Sequence, residues 1–263
     1  MTGSEAQSRP EVMAHGYTHL TTRLGSVVTK AYRGPDAAAR CGRETAALAA
    51  LAGQLPVPPV IAAGRDSLQT RLLPGVHGQD LIAAGLAGPV LAACGDMLRR
   101  IHALPIPAAI AGLVDSPASH RPAGASPSGT APAGTAPAGT ASASTAPGRA
   151  ILVHGDYGPN NVLLDASATQ VTAVVDWEWV HVGDSLEDLA WCEFIIRMHH
   201  PAEVAELARF YDAYGARPAW PDVHQMIMDR TRWMLQLCER WQPGGEQAAA
   251  WQQRLEIVAR WDT

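Results

Sequence analysis

The sequence predicts an α+β fold of two lobes, a small strand-rich lobe to about Gly75 and a larger, mainly helical lobe beyond it. Three observations carry this. Before Gly75, short β-branched and aliphatic runs alternate with turn residues. After it, Pro89 to Leu104 and most of the chain from Asp188 onward repeat apolar residues at helical spacing. Between the two helical regions lies a hairpin pattern, Val162 to Leu164 and Val171 to Val175, with turn material from Asp165 to Thr169.

Composition narrows the function classes. With 263 residues and 47% hydrophobic content, the chain has enough apolar material for one large domain or two modest ones. No apolar run approaches the ~20 residues of a membrane span. The opening residues lack a basic region followed by an apolar one, so a cytoplasmic protein with no membrane partner is expected. Cys41, Cys94, Cys192 and Cys238 are far apart, which argues against a zinc site and for buried thiols in a reducing compartment.

The net charge of -5 is unevenly spread: +2 over residues 1–89, +2 over 90–149 and -9 over 150–263. No basic stripe exists, so nucleic acid is not an expected partner. Nineteen of the 20 basic residues are arginine, and Lys30 is the only lysine. A chain that uses arginine wherever a bare positive charge suffices has kept one compact ammonium, which marks Lys30 as chemically specific.

In chain order, residues 1–10 read as a loose tail and Val12 to Tyr32 as short strands, Val27 to Tyr32 the clearest. Arg40 to Leu55 reads as a helix, with Glu44 in its first turn, fourteen residues after Lys30. Val57 to Ile61 and Leu68 to Leu73 are two further strands, the second ended by Pro74-Gly75. Pro89 to Leu104 is an amphipathic helix whose stripe is Val90, Cys94, Met97, Leu98 and Ile101, with His102 a packed histidine near its end. Residues 116–149 are dominated by Pro, Ala, Gly, Ser and Thr and have almost nothing to bury, so a disordered insertion is expected there. After Glu178, Asp184 or Ser185 is a candidate helix cap and Asp188 begins an apolar helix. His199-His200 lacks metal spacing, and all eight tryptophans lie at or after Trp177.

The chemistry concentrates between Ile151 and Glu178. Asn161 immediately precedes the outgoing hairpin strand and Asp176 immediately follows the returning one, so antiparallel pairing brings them to one end. Asp156 lies on the loop before. Two carboxylates and a carboxamide converging in this way suit a hard divalent cation beside an acceptor hydroxyl.

His154-x-Asp156 followed by Asn161, with Asp176-Trp-Glu178 after an apolar strand, resembles the catalytic and metal-binding loops of the aminoglycoside phosphotransferases and choline kinases. That resemblance implies a protein-kinase-like fold, ATP and Mg²⁺ as cofactors, and transfer of the γ-phosphoryl group to a hydroxyl of a small molecule. It assigns Asp156 as catalytic base and Asn161 and Asp176 as metal ligands, with Glu178 a weaker candidate for the metal shell. Lys30, positioned by Glu44, takes the nucleotide phosphates. Backbone groups near Arg71 to Leu73, chiefly Leu72 and Leu73, take the adenine, and Asp188 braces the catalytic loop. The glycine-rich signature of a phosphate-covering loop is missing, and its expected place is His15 to Ser26.

A pocket using some of Glu187, Glu193, Asp212, Asp222 and Asp229 would favour a cationic acceptor, an aminoglycoside or an amino alcohol. Two other readings stay open. One is a nucleotide-binding pseudokinase, opposed by the complete Lys30, Glu44, Asp156, Asn161, Asp176 set. The other is a metallophosphoesterase, whose further Asp-x-His and Gly-Asn-His motifs are missing. The oligomeric state is not legible.

Overall fold

The computed structural model describes residues 10–13, 19–112 and 150–262. Strands β1 (Glu11–Val12), β2 (His19–Leu24) and β3 (Val27–Tyr32) are followed by helix α1 (Ala37–Leu51), then by β4 (Val60–Ala63) and β5 (Ser67–Arg71). The five strands form one antiparallel sheet in the order β1-β2-β3-β5-β4. β2 and β3 are joined by Gly25-Ser26, and Gly25 takes the positive φ of +58° that so tight a turn requires. β3 is central, with Lys30 opposite Thr21 on one side and Leu68 on the other.

Some boundaries differ from the sequence reading. The strand expected at Val57 to Ile61 is displaced to β4, because Pro58 and Pro59 have no N–H to give a ladder. Pro59 instead accepts from Arg71 through its carbonyl at 2.9 Å. α1 begins three residues before the expected Arg40, so Glu44 lies mid-helix and not in the first turn.

Beyond the sheet come β6 (Val76–His77), α2 (Gly78–Ala83), α3 (Ala87–Ala103) and α4 (Ala108–Ala111). β7 (Ile151–Val153), β8 (Val162–Leu164), β9 (Val171–Val174) and β10 (His181–Gly183) follow. α5 (Ser185–His199), a 3₁₀ turn (Pro201–Glu206), α6 (Leu207–Tyr214), α7 (Trp220–Trp241) and α8 (Glu246–Val258) complete the chain. β6, β8 and β9 form a three-stranded antiparallel sheet, and β7 pairs with β10. The small strand-rich and larger helical parts are thus those expected.

The expected stripe of α3 is buried throughout. α3 also approaches α6 so closely at Gly95 that a Cβ there would collide with the Phe210 carbonyl. α5 starts at Ser185, three residues before Asp188, because Asp184 caps it. The Asp184 carboxylate accepts from the Leu186 amide at 2.8 Å, and Glu187 reaches back to the Asp184 amide at 3.0 Å.

One apolar cluster joins Leu48, Leu51 and Leu68 under the first sheet to Leu98, Ile101, Val162 and Trp177 beyond it. A second unites α5, α7 and α8 around Trp191, Phe194, Ile227 and Trp251. At roughly 1.5–3 kcal/mol per fully buried large side chain, these clusters fix the strands and helices that carry the polar site. All four cysteines are buried free thiols. Among the described residues no helix is long and apolar enough to cross a membrane. The expected insertion at 116–149 and the first residues of the expected phosphate loop, 15–18, lie outside the described residues.

Candidate active site

β7 delivers His154-Gly155-Asp156 into a tight loop. Gly155 has φ +84°, and a Cβ there would collide with the Trp179 carbonyl, so the position requires glycine. The fully buried Asp188 of α5 accepts from the His154 amide at 2.8 Å and the Gly155 amide at 2.9 Å. His102 Nε2 bonds the same carboxylate at 3.1 Å, and its Nδ1 meets the Tyr214 hydroxyl at 2.9 Å. Burial alone would raise the Asp188 pKa, but the bonds from His102 and the loop outweigh it and hold the group below its ordinary value. Asp188 therefore braces the loop as a carboxylate.

His154 joins the loop to the hairpin. Its Nδ1 accepts from the Asp156 amide at 3.1 Å, so Nε2 carries the proton and donates to the Val175 carbonyl at 3.0 Å. Burial lowers its pKa and keeps it neutral. The Val175 amide in turn donates to the Asn161 carbonyl at 2.9 Å, so the hairpin does bring Asn161 beside the residue preceding Asp176.

Asp156 sits at the end of this frame. Asn161 Nδ2 donates to its carboxylate and to its backbone carbonyl, both at 2.8 Å, and the Trp191 indole N–H donates to its other carboxylate oxygen at 2.5 Å. Burial, and next the neighbouring Asp176, push its pKa up to about 7, while Trp191, Arg230 and Asn161 pull the other way. A carboxylate poised there is suited to proton transfer near neutrality.

Lys30 is buried at 8% exposure and lies 2.5 Å from Glu44, 2.6 Å from Asp176 and 3.8 Å from Glu178. Tyr32 also donates its hydroxyl to Glu44. Burial alone would lower the Lys30 pKa, but the Asp176, Glu44 and Glu178 carboxylates reverse this and hold the ammonium charged. Asp176 adopts φ +67°, a conformation that aspartate tolerates better than most residues. Glu178 accepts from Arg40 at 3.0 Å with both side chains buried, and its carboxylate still lies within 4.8 Å of those of Asp176 and Glu44, so it stays beside the expected metal shell. Burial comes first among the causes that raise the Glu178 pKa to about 7.

Two clefts meet here. The first holds about 800 Å³ of empty space, partly open to solvent, and is lined by apolar Val28, Leu48 and Leu68 together with Lys30, Glu44 and Asp176. Leu72 and Leu73 both line it, but the Leu72 amide is committed to the Ser26 carbonyl at 2.8 Å. Among the described residues, the amide and carbonyl of Leu73 carry no hydrogen bond. The second cleft encloses about 2050 Å³, partly open to solvent, and contains Asp156, Asp176 and Glu178.

The expected acidic lining of that second cleft is corrected by the structure. Glu187 is turned to His181 at 2.9 Å, and Glu193 to Arg197 at 2.7 Å and to the Tyr211 hydroxyl. Asp212, Asp222 and Asp229 face solvent, and none of the five lines the cleft. Three residues missing from the sequence reading belong to the site: Trp191, Arg40 and Arg230, the last donating to the Gly155 carbonyl. Arg40 and Arg230 stand out only as charged residues among buried helix positions, and Trp191 carries no signal beyond being one of eight tryptophans.

A family profile described as the phosphotransferase enzyme family matches residues 13–226. The chain belongs to this family. As a member of it, the protein is a phosphotransferase-family enzyme. Among solved structures it is similar to the GDP complex of wild-type aminoglycoside 2'-phosphotransferase-IIIa, at 14% identity and TM-score 0.67, covering 97% of this chain and 93% of that one. A choline/ethanolamine kinase family protein from Mesorhizobium loti matches at 16% identity and TM-score 0.61, over 97% and 88%. Macrolide 2'-phosphotransferase MphH from Brachybacterium faecium matches at 20% identity and TM-score 0.58, over 97% and 93%. These likenesses establish the kinase-like fold of this phosphotransferase. The uncharacterized protein YcbJ of Bacillus subtilis (strain 168) is 31% identical over 83 residues, 32% of this chain and 26% of the relative.

Proposed function

We propose that this phosphotransferase moves the γ-phosphoryl group of ATP to a hydroxyl of a small molecule. The observation that carries the reading is that Asp176 lines both clefts, with Lys30 on its nucleotide side and Asp156 on its acceptor side. The GDP bound by the aminoglycoside 2'-phosphotransferase-IIIa structure supports a nucleotide in the first cleft. We take the lobes to divide near Gly75, residues 1–75 holding the nucleotide and 76–263 carrying catalysis and the acceptor.

Lys30, charged and oriented by Glu44, holds the nucleotide phosphates. The adenine edge meets the backbone at Leu73, because the Leu72 amide is already committed. Asn161 spends its amide nitrogen on Asp156, which leaves its carbonyl oxygen to pair with the Asp176 carboxylate as hard oxygen donors. This donor set fits Mg²⁺, which when bound neutralises charge on the phosphates. Asp156 accepts the hydroxyl proton as the acceptor oxygen bonds to phosphorus and the bond to the bridging oxygen breaks, releasing ADP. Trp191 and Asn161 hold the Asp156 carboxylate in place through this step.

The test is a phosphoryl-transfer assay with ATP and Mg²⁺ across a panel of hydroxyl compounds, read by mass spectrometry of the acceptor. Transfer to at least one acceptor, lost in Asp156→Asn, is expected. Nucleotide binding without transfer to any acceptor would favour the pseudokinase reading. Hydrolysis of phosphate monoesters without nucleotide would favour the phosphoesterase.

A further inference from the structure

We infer that the acceptor is a ring-bearing alcohol with an anionic group, not a polycation, an inference that rests on the phosphotransferase reading of the same site. The first argument is the surface beside the base. Trp191, which donates to Asp156, stacks on Phe194 at 4.6 Å with planes 17° apart. Trp251 lies beside this pair, 6.0 Å from each ring and within 23° of parallel. All three rings line the second cleft, and Trp179 and Trp241 line it as well. An aromatic lining that reaches the catalytic carboxylate suits an acceptor with an apolar ring system whose hydroxyl is presented to Asp156.

The second argument is charge. Among the described residues, the carboxylates lining this cleft are Asp156, Asp176 and Glu178, all engaged in the phosphoryl-transfer centre or its Arg40 pair. The cations on the lining are Arg33, Arg230 and Arg254. A polycation entering here would meet guanidinium groups and find no uncommitted carboxylate.

Arg230 gives the charge a direction. It is 4% exposed, is 5.0 Å from the Trp191 ring, and donates one nitrogen to the Gly155 carbonyl. Its Nε and Nη1 are buried without a hydrogen-bond partner among the described residues. Buried guanidinium N–H groups without acceptors are costly, and a carboxylate on a ring lodged in the cleft beside Arg230 would supply the acceptors they lack.

Two probes of matched shape separate the possibilities: hydroxymethyl naphthoate and its counterpart with an aminomethyl group in place of the carboxylate. Each is titrated calorimetrically into the full chain with Mg²⁺ and a non-hydrolysable ATP analogue. The naphthoate is expected to bind at least tenfold more tightly, a difference of about 1.4 kcal/mol. Arg254→Gln should narrow that preference while leaving the affinity for the analogue unchanged. A wild-type preference below tenfold, or tighter binding of the amine or of kanamycin, would overturn the inference. Because binding is read without turnover, failure of the charge preference is distinguishable from failure of the chemistry. The latter appears as no phosphoryl transfer to any hydroxyl compound.

Discussion

Trp191 of α5 donates its indole N–H to the Asp156 carboxylate over 2.5 Å, joining α5 to the loop after β7 through one hydrogen bond. That bond opposes the burial that lifts the Asp156 pKa to about 7. Turnover should therefore rise as pH passes through about 7 and Asp156 loses its proton. Trp191→Phe removes the donor and should move this limb to higher pH, lowering turnover at neutrality by roughly 3- to 10-fold. A kcat profile against pH for both proteins checks it, and an unmoved midpoint would remove Trp191 from the tuning of the base.

The same shift has a sign for stability. Folding raises the Asp156 pKa from its ordinary 3.8, so the stability tied to its protonated form is present below that value and lost as pH rises toward about 7. Asp156→Asn should cost roughly 10²- to 10⁴-fold in turnover. Its melting temperature relative to wild type should climb between pH 4 and pH 7. Glu178, also raised to about 7, titrates in both proteins and cancels from the comparison.

Lys30 holds three carboxylates around one ammonium, with Glu44 and Asp176 closest at 2.5 and 2.6 Å. A guanidinium is planar and too broad for that position. Lys30→Arg should fold yet lose roughly 100-fold in turnover, since a charge contact to the phosphates is misplaced. Circular dichroism and steady-state kinetics together test this, and near-normal turnover would exclude the lysine from the mechanism.

Asp188 contributes stability of the opposite pH dependence. Its folded pKa is depressed, so the contribution is present above the ordinary carboxylate value and lost as pH falls through the folded one. Asp188→Asn should destabilise the protein by about 2–3 kcal/mol at neutral pH, as charge-assisted bonds to two loop amides and His102 are weakened. Urea unfolding at neutral pH and at pH 3 should show the difference shrinking in acid.

Much of the candidate site's geometry was legible because its parts are local. Asn161 and Asp176 flank a hairpin, and the antiparallel register alone brings them together. Lys30 stood out through the unusual arginine usage of the chain. Arg40 and Trp191 share helices with Glu44 and Asp188, which the motifs mark, yet neither they nor Arg230 were legible, because only packing decides which way a helix faces. The charge asymmetry misled for the same reason: a count of acids says nothing of direction, and Glu187 and Glu193 turned out to be committed to His181 and Arg197. Likewise, the strand expected at Val57 moved because paired prolines outweigh β-branched propensity where a ladder needs N–H groups.

The solitary lysine has a practical corollary. Every other cationic side chain that does not depend on histidine protonation is a guanidinium, so Lys30 is the one side-chain primary amine in the chain, and it lines the nucleotide cleft. Amine-directed acylating reagents thus have a single side-chain target. Held as a buried, charged ammonium by Glu44, Asp176 and Glu178, that amine is a poor nucleophile while the cluster is intact, so acylation of Lys30 would report the opening of the cluster.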